Sequence, residues 1–303
     1  AVIASICNET LVWDKLTAAV CCARELRLVH TTRSQQSSLS DDDQELAQRS
    51  IWFLCSLETE YAIHNGMLPI LDPEWGTQFS SFERGDDMIA VSYTYSELLY
   101  SVVKLQYSPG ALTKFSSAYD RLQASFRALN EWVSRLPGPL KETCDGGKLH
   151  EIEDDRQLRK SFRVFCMYHR AMFLIHCPWI TSTSSDGMKS SRAAGLIWKN
   201  CAERCIESAF AVVKLANSGL LWERGLERDF CSSTGRWGDL GHLLLVSLCF
   251  IVYYVASCEQ GSRNTAVSYL VICGELFGRL SLDSEDGSLL DHYLKLVQIV
   301  RTN

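Results

Sequence analysis

One stretch of this chain narrows its possible folds more than any other. Residues 240–258, LGHLLLVSLCFIVYYVASC, run for nineteen positions without a formal charge. A run of that length can cross a bilayer as a helix. It also contains His242, Ser247 and Ser257, and charged residues flank it on both sides, Arg236 and Asp239 before it and Glu259 and Arg263 after it. A helix that is apolar on every face is equally what the centre of a helical domain requires. The segment is read here as a buried core helix, and a membrane-anchored protein using 240–258 is the rival reading.

Elsewhere apolar residues recur at helical spacing. Residues 11–29 carry them at 12, 16, 19, 20, 23 and 26. Ser40 stands three residues before Asp43, inside the run Asp41-Asp42-Asp43. That is an N-cap followed by acids suited to a helix dipole, so the triple Asp marks a helix start in preference to an acidic binding cluster. The helix continues through Leu46, Ile51, Trp52, Leu54, Cys55, Leu57 and Tyr61, and Asn65-Gly66 is expected to close it. Residues 67–85, with Pro69, Pro73, Gly76 and Gly85, read as irregular. Helices are predicted over 89–107 and 112–136, parted by Ser108-Pro109-Gly110, and Pro137-Gly138-Pro139 stops the second.

Residues 158–177 carry two apolar stripes. Leu158, Phe162, Phe165, His169, Met172 and His176 form one, and Val164, Tyr168, Ala171 and Ile175 the other. Two apolar faces imply packing on both sides, hence a central helix, with Pro178 expected to end it. Residues 181–191 (TSTSSDGMKSS) read as a mobile Ser/Thr-rich loop. An amphipathic helix follows over 196–215, an irregular stretch with Gly225, Gly235, Gly238 and Gly241 over 222–241, and two helices over 264–280 and 286–300. No alternating strand pattern occurs. The fold class expected is all-α: residues 1–303 as one irregular multi-helix domain of about nine helices with a buried central helix pair.

The chemistry-bearing residues are sparse. A formal net charge of −6 supplies no field to gather nucleic-acid phosphates. The chain has 13 cysteines, and Cys7, Cys21, Cys22, Cys55, Cys166, Cys249 and Cys273 lie among apolar residues, as small buried hydrophobes of a reducing compartment would. No C-x-x-C pair occurs. Cys201 and Cys205 are one turn apart without a second ligand pair, so no metal site is assigned. A phosphate-binding glycine loop, a G-x-S-x-G elbow and an H-E-x-x-H pair are all absent from the sequence. His169 and His176 lie two helical turns apart, about 10.5 Å, too far for one metal. No residue is assigned a catalytic role. Trp52, Trp179, Trp198, Tyr253 and Tyr254 read first as core. Tyr168, His169, Met172, His176, Tyr253 and Tyr254 are the residues expected to line a ligand pocket if the helices open one.

Four segments, in order, carry a resemblance. WDKLTAAVCCARELRLVH ends in Ala23, Leu26, Leu28 and His30, with Arg27 and Val29 departing from the pattern. DQELAQRSIWFLCSLETEYAIHNGMLPILD carries Glu45, Arg49, Trp52, Leu57, Glu58, Gly66, Pro69, Ile70 and Asp72. LNEWVSRLPGPL and YHRAMFLIHCPWI follow, the latter with Cys177 at a position where Arg is usual. Together they resemble the middle homology region of fungal zinc-cluster transcription factors, over residues 13–180; residues 190–300 agree only in being helical.

The resemblance implies a nuclear regulator of transcription by RNA polymerase II. In such a protein, a helical domain senses a small apolar ligand or a transcriptional co-regulator protein. Homodimer pairing is part of that picture. Zinc and DNA are then held by a separate Cys-rich module of the form C-x2-C-x6-C. That spacing does not occur here, so no cofactor is expected in this chain and DNA contact only through that module. The chain begins Ala1-Val2-Ile3 without Met or a signal-peptide pattern, and the first helices of the homology region and the zinc cluster are expected upstream. The rival is an enzyme built on the same scaffold, with Tyr168, His169 and His176 as the first residues to test.

Overall fold

The structure is a computed structural model of the chain. It describes residues 9–25, 40–72, 88–107, 115–144, 146–182, 192–218, 238–257 and 260–283, together with 294, 295 and 298. Among these residues every regular element is helical. The chain separates into two compact units, Ala1–Lys141 and Glu142–Asn303.

The first unit holds α1 (Glu9–Glu25), α2 (Asp41–His64), α3 (Met88–Gln106), α4 (Phe115–Arg135) and the short α5 (Gly138–Lys141). Consecutive helices pack on one another through aromatic pairs. Trp13 of α1 stacks on Tyr61 of α2 at 5.8 Å, Trp52 of α2 on Tyr93 of α3 at 5.4 Å, and Tyr95 of α3 meets Trp132 of α4 at 5.3 Å. Val20, Ala23, Ile51, Trp52, Cys55, Leu71, Ala90 and Tyr93 form the buried core.

Both ends of α2 follow the local signals. The Asp43 backbone N–H donates to Ser40 Oγ at 3.2 Å, and that hydroxyl donates in turn to Asp43 Oδ2 at 2.6 Å. At the far end Met67 N–H reaches the Ala62 carbonyl at 2.8 Å and Gly66 N–H the Ile63 carbonyl at 3.1 Å, with Gly66 at φ +67°. That pair of bonds is the Schellman closure, and its left-handed residue favours glycine.

The second unit holds a 3-10 turn (Leu149–Glu151), α6 (Asp155–Ser182), α7 (Arg192–Asn217), α8 (Gly238–Ser257) and α9 (Gln260–Asp283). Helix α7 packs against α6, α8 and α9, and α8 packs against α6 and α9. The uncharged run of the sequence is α8. It is the one described helix long and apolar enough to cross a membrane, and more than half of that stretch is buried in the fold. Leu240, Leu243, Leu244, Leu248, Ile251 and Val255 enter the core, each contributing roughly 1.5–3 kcal/mol of burial. Ser247 is tolerated there because its hydroxyl donates to the Leu243 carbonyl at 2.7 Å.

Helix boundaries differ from the sequence reading at several places; α7 and α9 each begin four residues earlier than expected, at Arg192 and Gln260. Asp154 accepts from the Gln157 backbone N–H at 3.0 Å, so α6 starts at Asp155 and not at 158. Pro178 does not end α6, which continues to Ser182 with the proline inside it. An interior proline costs about 3 kcal/mol. Trp179, next to it, is 1% exposed, and burying an indole is worth roughly 4–6 kcal/mol at 25 cal/mol/Å². The packing of Trp179 therefore outweighs the lost backbone bond, and Thr181 and Ser182, expected in a loop, finish the helix. Gly238 and Gly241, expected in an irregular stretch, open α8, where Leu240, Leu243 and Leu244 draw the turn into the core.

The rest of the Ser/Thr-rich segment, residues 183–191, lies outside the described residues. So do residues 219–237, most of the helix predicted over 286–300, and Cys7.

Candidate functional site

The expected pocket residues distribute over two helices of the second unit. Tyr168, His169, Met172 and His176 lie on α6, and Tyr253 and Tyr254 on α8. His169, Met172 and His176 are buried, each 4% exposed, while both α8 tyrosines are half-buried. The ring contacts separate them into neighbourhoods. His169 lies against Phe165 at 4.3 Å and edge-on to Tyr168 at 5.1 Å. Tyr253 meets Trp198 of α7 at 6.2 Å. Tyr254 meets Phe210 of α7 at 5.9 Å, and Phe210 stacks in turn on Tyr269 of α9 at 4.3 Å. On α6, His169, Met172 and His176 thus share one stripe and Tyr168 lies on the other, whereas Tyr253 and Tyr254 tie α8 to α7.

His176 has a partner that sequence spacing does not reveal. Its Nδ1 lies 3.5 Å from Cys201 Sγ on α7. Burial, and then the nearby Arg204 guanidinium, lowers the imidazole to about 4. Burial raises the Cys201 thiol to about 12, with Arg204 opposing the shift. At neutral pH the two form an uncharged pair. A cysteine nucleophile needs the thiolate beside an imidazolium, and this environment disfavours both forms.

A second constellation lies in the first unit, on residues that carried the family resemblance. Glu58 is fully buried on α2. Its carboxylate accepts from the Ile70 N–H at 2.7 Å and the Leu71 N–H at 3.4 Å. Two residues on, Asp72 accepts from the Tyr100 hydroxyl of α3 at 3.2 Å. The turn 67–72 is therefore clasped to α2 by Glu58 and to α3 by Asp72. Beside it the Tyr93 hydroxyl donates to Glu97.

Burial raises the Glu58 carboxyl, against the pull of its two backbone donors. Burial also raises Glu97, against Tyr93 and the Arg135 charge. The Cys55 thiol is pushed up to about 12, by burial first and then by Glu58, Glu97 and Asp72.

Sequence reasoning did not single out Glu58 as a structural anchor. The signal was present: Ile51, Cys55, Glu58 and Ala62 are all buried at helical spacing, so one carboxylate sits within an apolar stripe and has to find donors. Of the described cysteines expected to be buried, Cys55, Cys166 and Cys273 are, while Cys21, Cys22 and Cys249 are exposed. Among the described residues no group of three or more His, Cys, Asp or Glu is arranged to hold a metal ion.

The architecture defines an all-α, multi-helix protein. In comparison with known proteins, the chain is similar to the terrein cluster-specific transcription factor terR of Aspergillus terreus, 31% identical over 209 residues, which is 67% of this chain and 32% of that protein. It is also similar to the fumonisin cluster-specific transcription factor FUM21 of Gibberella moniliformis, 26% identical over 313 aligned positions covering 88% of this chain and 43% of that protein. The chain thus spans about a third to two-fifths of the length of these curated relatives. No protein-family profile matches it, and no solved structure does. The chain belongs to the fungal zinc-cluster family of transcription factors, the family that residues 13–180 resemble.

Proposed function

We propose that this chain is the regulatory helical body of a fungal transcription factor that controls a specific set of genes transcribed by RNA polymerase II. The observation that carries the reading is the similarity to two cluster-specific factors, one of them over 88% of this chain. In this reading the protein acts in the nucleus. Zinc and DNA are bound by a separate Cys-rich module, and the helical body passes on a signal from a small apolar ligand or a co-regulator protein. Homodimer pairing belongs to the same proposal. The α6 residues Tyr168, His169, Met172 and His176, with Tyr253 and Tyr254 of α8, are where such a ligand would enter, because these aromatic and apolar groups lie on helices packed against one another.

An enzymatic reading draws less support, because burial holds His176 and Cys201 in their uncharged forms. The discriminating experiment disrupts the gene in its own fungus and measures all transcripts. Coordinated loss or gain of transcripts from a neighbouring gene set is the expected result. An unchanged transcript profile with one metabolic step blocked would replace this reading with the enzymatic one.

A further inference from the structure

Helices α3 and α4 of the first unit meet through Tyr95 and Trp132, whose ring centroids stand 5.3 Å apart. That contact fixes their relative direction. Residues 107–114 join the two helices, and the nine Cα steps from Gln106 to Phe115 reach at most about 32 Å. Were the helices parallel, 28 residues of helix, roughly 42 Å, would part the end of α3 from the start of α4. The pair is therefore antiparallel.

The same contact sets the register. Gln106 lies eleven residues beyond Tyr95 on α3, and Arg121 eleven residues before Trp132 on α4. Eleven residues are three turns to within about 20°. Both side chains thus leave the helix faces that carry the touching rings, level with each other about 16 Å along the seam. Ser125, seven residues before Trp132, shares that face of α4, one turn from Arg121. A helical Cβ leans toward the N-terminus of its helix. Gln106 accordingly leans toward the level of Ser125, and Ser125 toward the level of Gln106.

Gln106 is 3% exposed and Ser125 is fully buried. Among the described residues, neither the Gln106 side-chain nitrogen, its oxygen nor the Ser125 hydroxyl has a hydrogen-bond partner. Other buried serines of this fold behave differently. Ser56, Ser96 and Ser247 each donate to a carbonyl of the preceding turn. Buried polar groups ordinarily find partners because stripping them of water costs free energy. Here three such atoms face one end of one seam, and Val102, Ala118 and Leu122 around them are buried and apolar.

We propose that this end of the α3–α4 seam binds a short-chain hydroxy acid. Its carboxylate accepts from Gln106 Nε2 and Ser125 Oγ, beside the charge of the Arg121 guanidinium. Its hydroxyl donates to Gln106 Oε1, and its short carbon chain lies against Val102 and Ala118. Gln106 closes the last turn of α3 and Arg121 is half-buried, so the ligand enters from the end of the seam. The site uses none of the α6 or α8 residues and stands independently of the transcriptional reading.

The test records the melting temperature of the purified 303-residue chain against rising sodium lactate, with sodium chloride at matched ionic strength as the blank. Propionate and lactamide serve as the probes that lack the hydroxyl and the charge. The expected result is a saturable rise with lactate, smaller with propionate and lactamide, and absent in Gln106→Leu and in Ser125→Ala. Each variant removes polar atoms that have no protein partner, so without lactate each should melt at or above the wild-type chain. That control separates a lost site from a lost fold. No saturable rise, a rise shared equally by propionate and lactamide, or a rise kept in both variants would overturn the proposal. So would variants that melt well below the wild-type chain before lactate is added.

Discussion

Glu58 Oε1 accepts a hydrogen bond from the Ile70 backbone N–H at 2.7 Å, twelve residues further along the chain. The helix α2 therefore holds the turn that follows it, and the motif linking Trp52, Leu57, Glu58, Gly66, Ile70 and Asp72 acquires a physical meaning. Gly66 reverses the chain, Glu58 captures the returning backbone, and Asp72 passes it to Tyr100 of α3. Leu71, 1% exposed, is delivered into the core by this clasp.

Removing the carboxylate should loosen that turn. Glu58→Ala leaves the Leu71 amide buried without its acceptor and is expected to cost about 2–4 kcal/mol. Glu58→Gln retains one acceptor oxygen and should cost roughly half as much. Urea unfolding followed by circular dichroism measures both. Hydrogen exchange at the Ile70 and Leu71 amides should accelerate in Glu58→Ala while the amides of α4 stay protected.

The same carboxyl should give the first unit an inverted acid response. Glu58 and Glu97 bind protons more tightly folded than unfolded, because burial raises both. Between the ordinary carboxyl value of 4.5 and the raised folded values, the folded state then holds more protons. Stability falls as pH rises through that window and grows as pH drops from neutral toward 4.5. Melting temperature measured in half-unit pH steps should show this gain, and Glu58→Gln with Glu97→Gln should abolish it.

His176 pulls the other way. Its folded value is lowered from 6.5 to about 4, so the unfolded chain takes up the proton first. Its stabilisation is complete above 6.5 and is lost as pH falls toward 4. The loss is on the order of 3 kcal/mol. Comparing pH slopes of the wild-type chain and His176→Gln isolates it, since a change in packing alone moves the curve without changing its slope.

Two left-handed glycines should differ in cost for a stated reason. Gly66, at φ +67°, has open space where a Cβ would stand. Gly146, at φ +83°, would place a Cβ 3.0 Å from Phe165 Cε2. Gly66→Ala is expected to cost about 1 kcal/mol of backbone strain alone. Gly146→Ala should cost clearly more, by roughly 1–3 kcal/mol of overpacking. Phe165→Leu should recover part of that excess when combined with Gly146→Ala, which a double-mutant cycle by urea unfolding reads directly.

Much of the architecture was legible from periodicity and end signals. The Ser40 cap, the Asn65-Gly66 closure and the stop after Arg135 each rest on one or two neighbouring residues, and local chemistry decides them. Helix α8 declared itself because nineteen uncharged residues leave few alternatives. The start of α6 differed through a local cap at Asp154, and elsewhere packing decided. Pro178 stays inside α6 because Trp179 is buried there, and Gly238 and Gly241 become helical because the leucines beside them enter the core.

The candidate sites were harder to see. The pairing of His176 with Cys201 and the clasp of Glu58 on residues 70 and 71 join positions separated by 25, 12 and 13 residues. No local spacing encodes such contacts. Only the misplaced carboxylate in an apolar stripe hinted at one of them.

The central claim is that this helical body regulates while DNA contact resides elsewhere in the protein. It is tested most directly by deleting the codons for residues 9–283 in frame from the native gene, then measuring promoter occupancy and transcripts of the controlled genes together. Retained occupancy with transcription uncoupled from its normal inducing condition is the outcome this account requires. Normal, condition-dependent transcription without those residues, or loss of occupancy altogether, would contradict it.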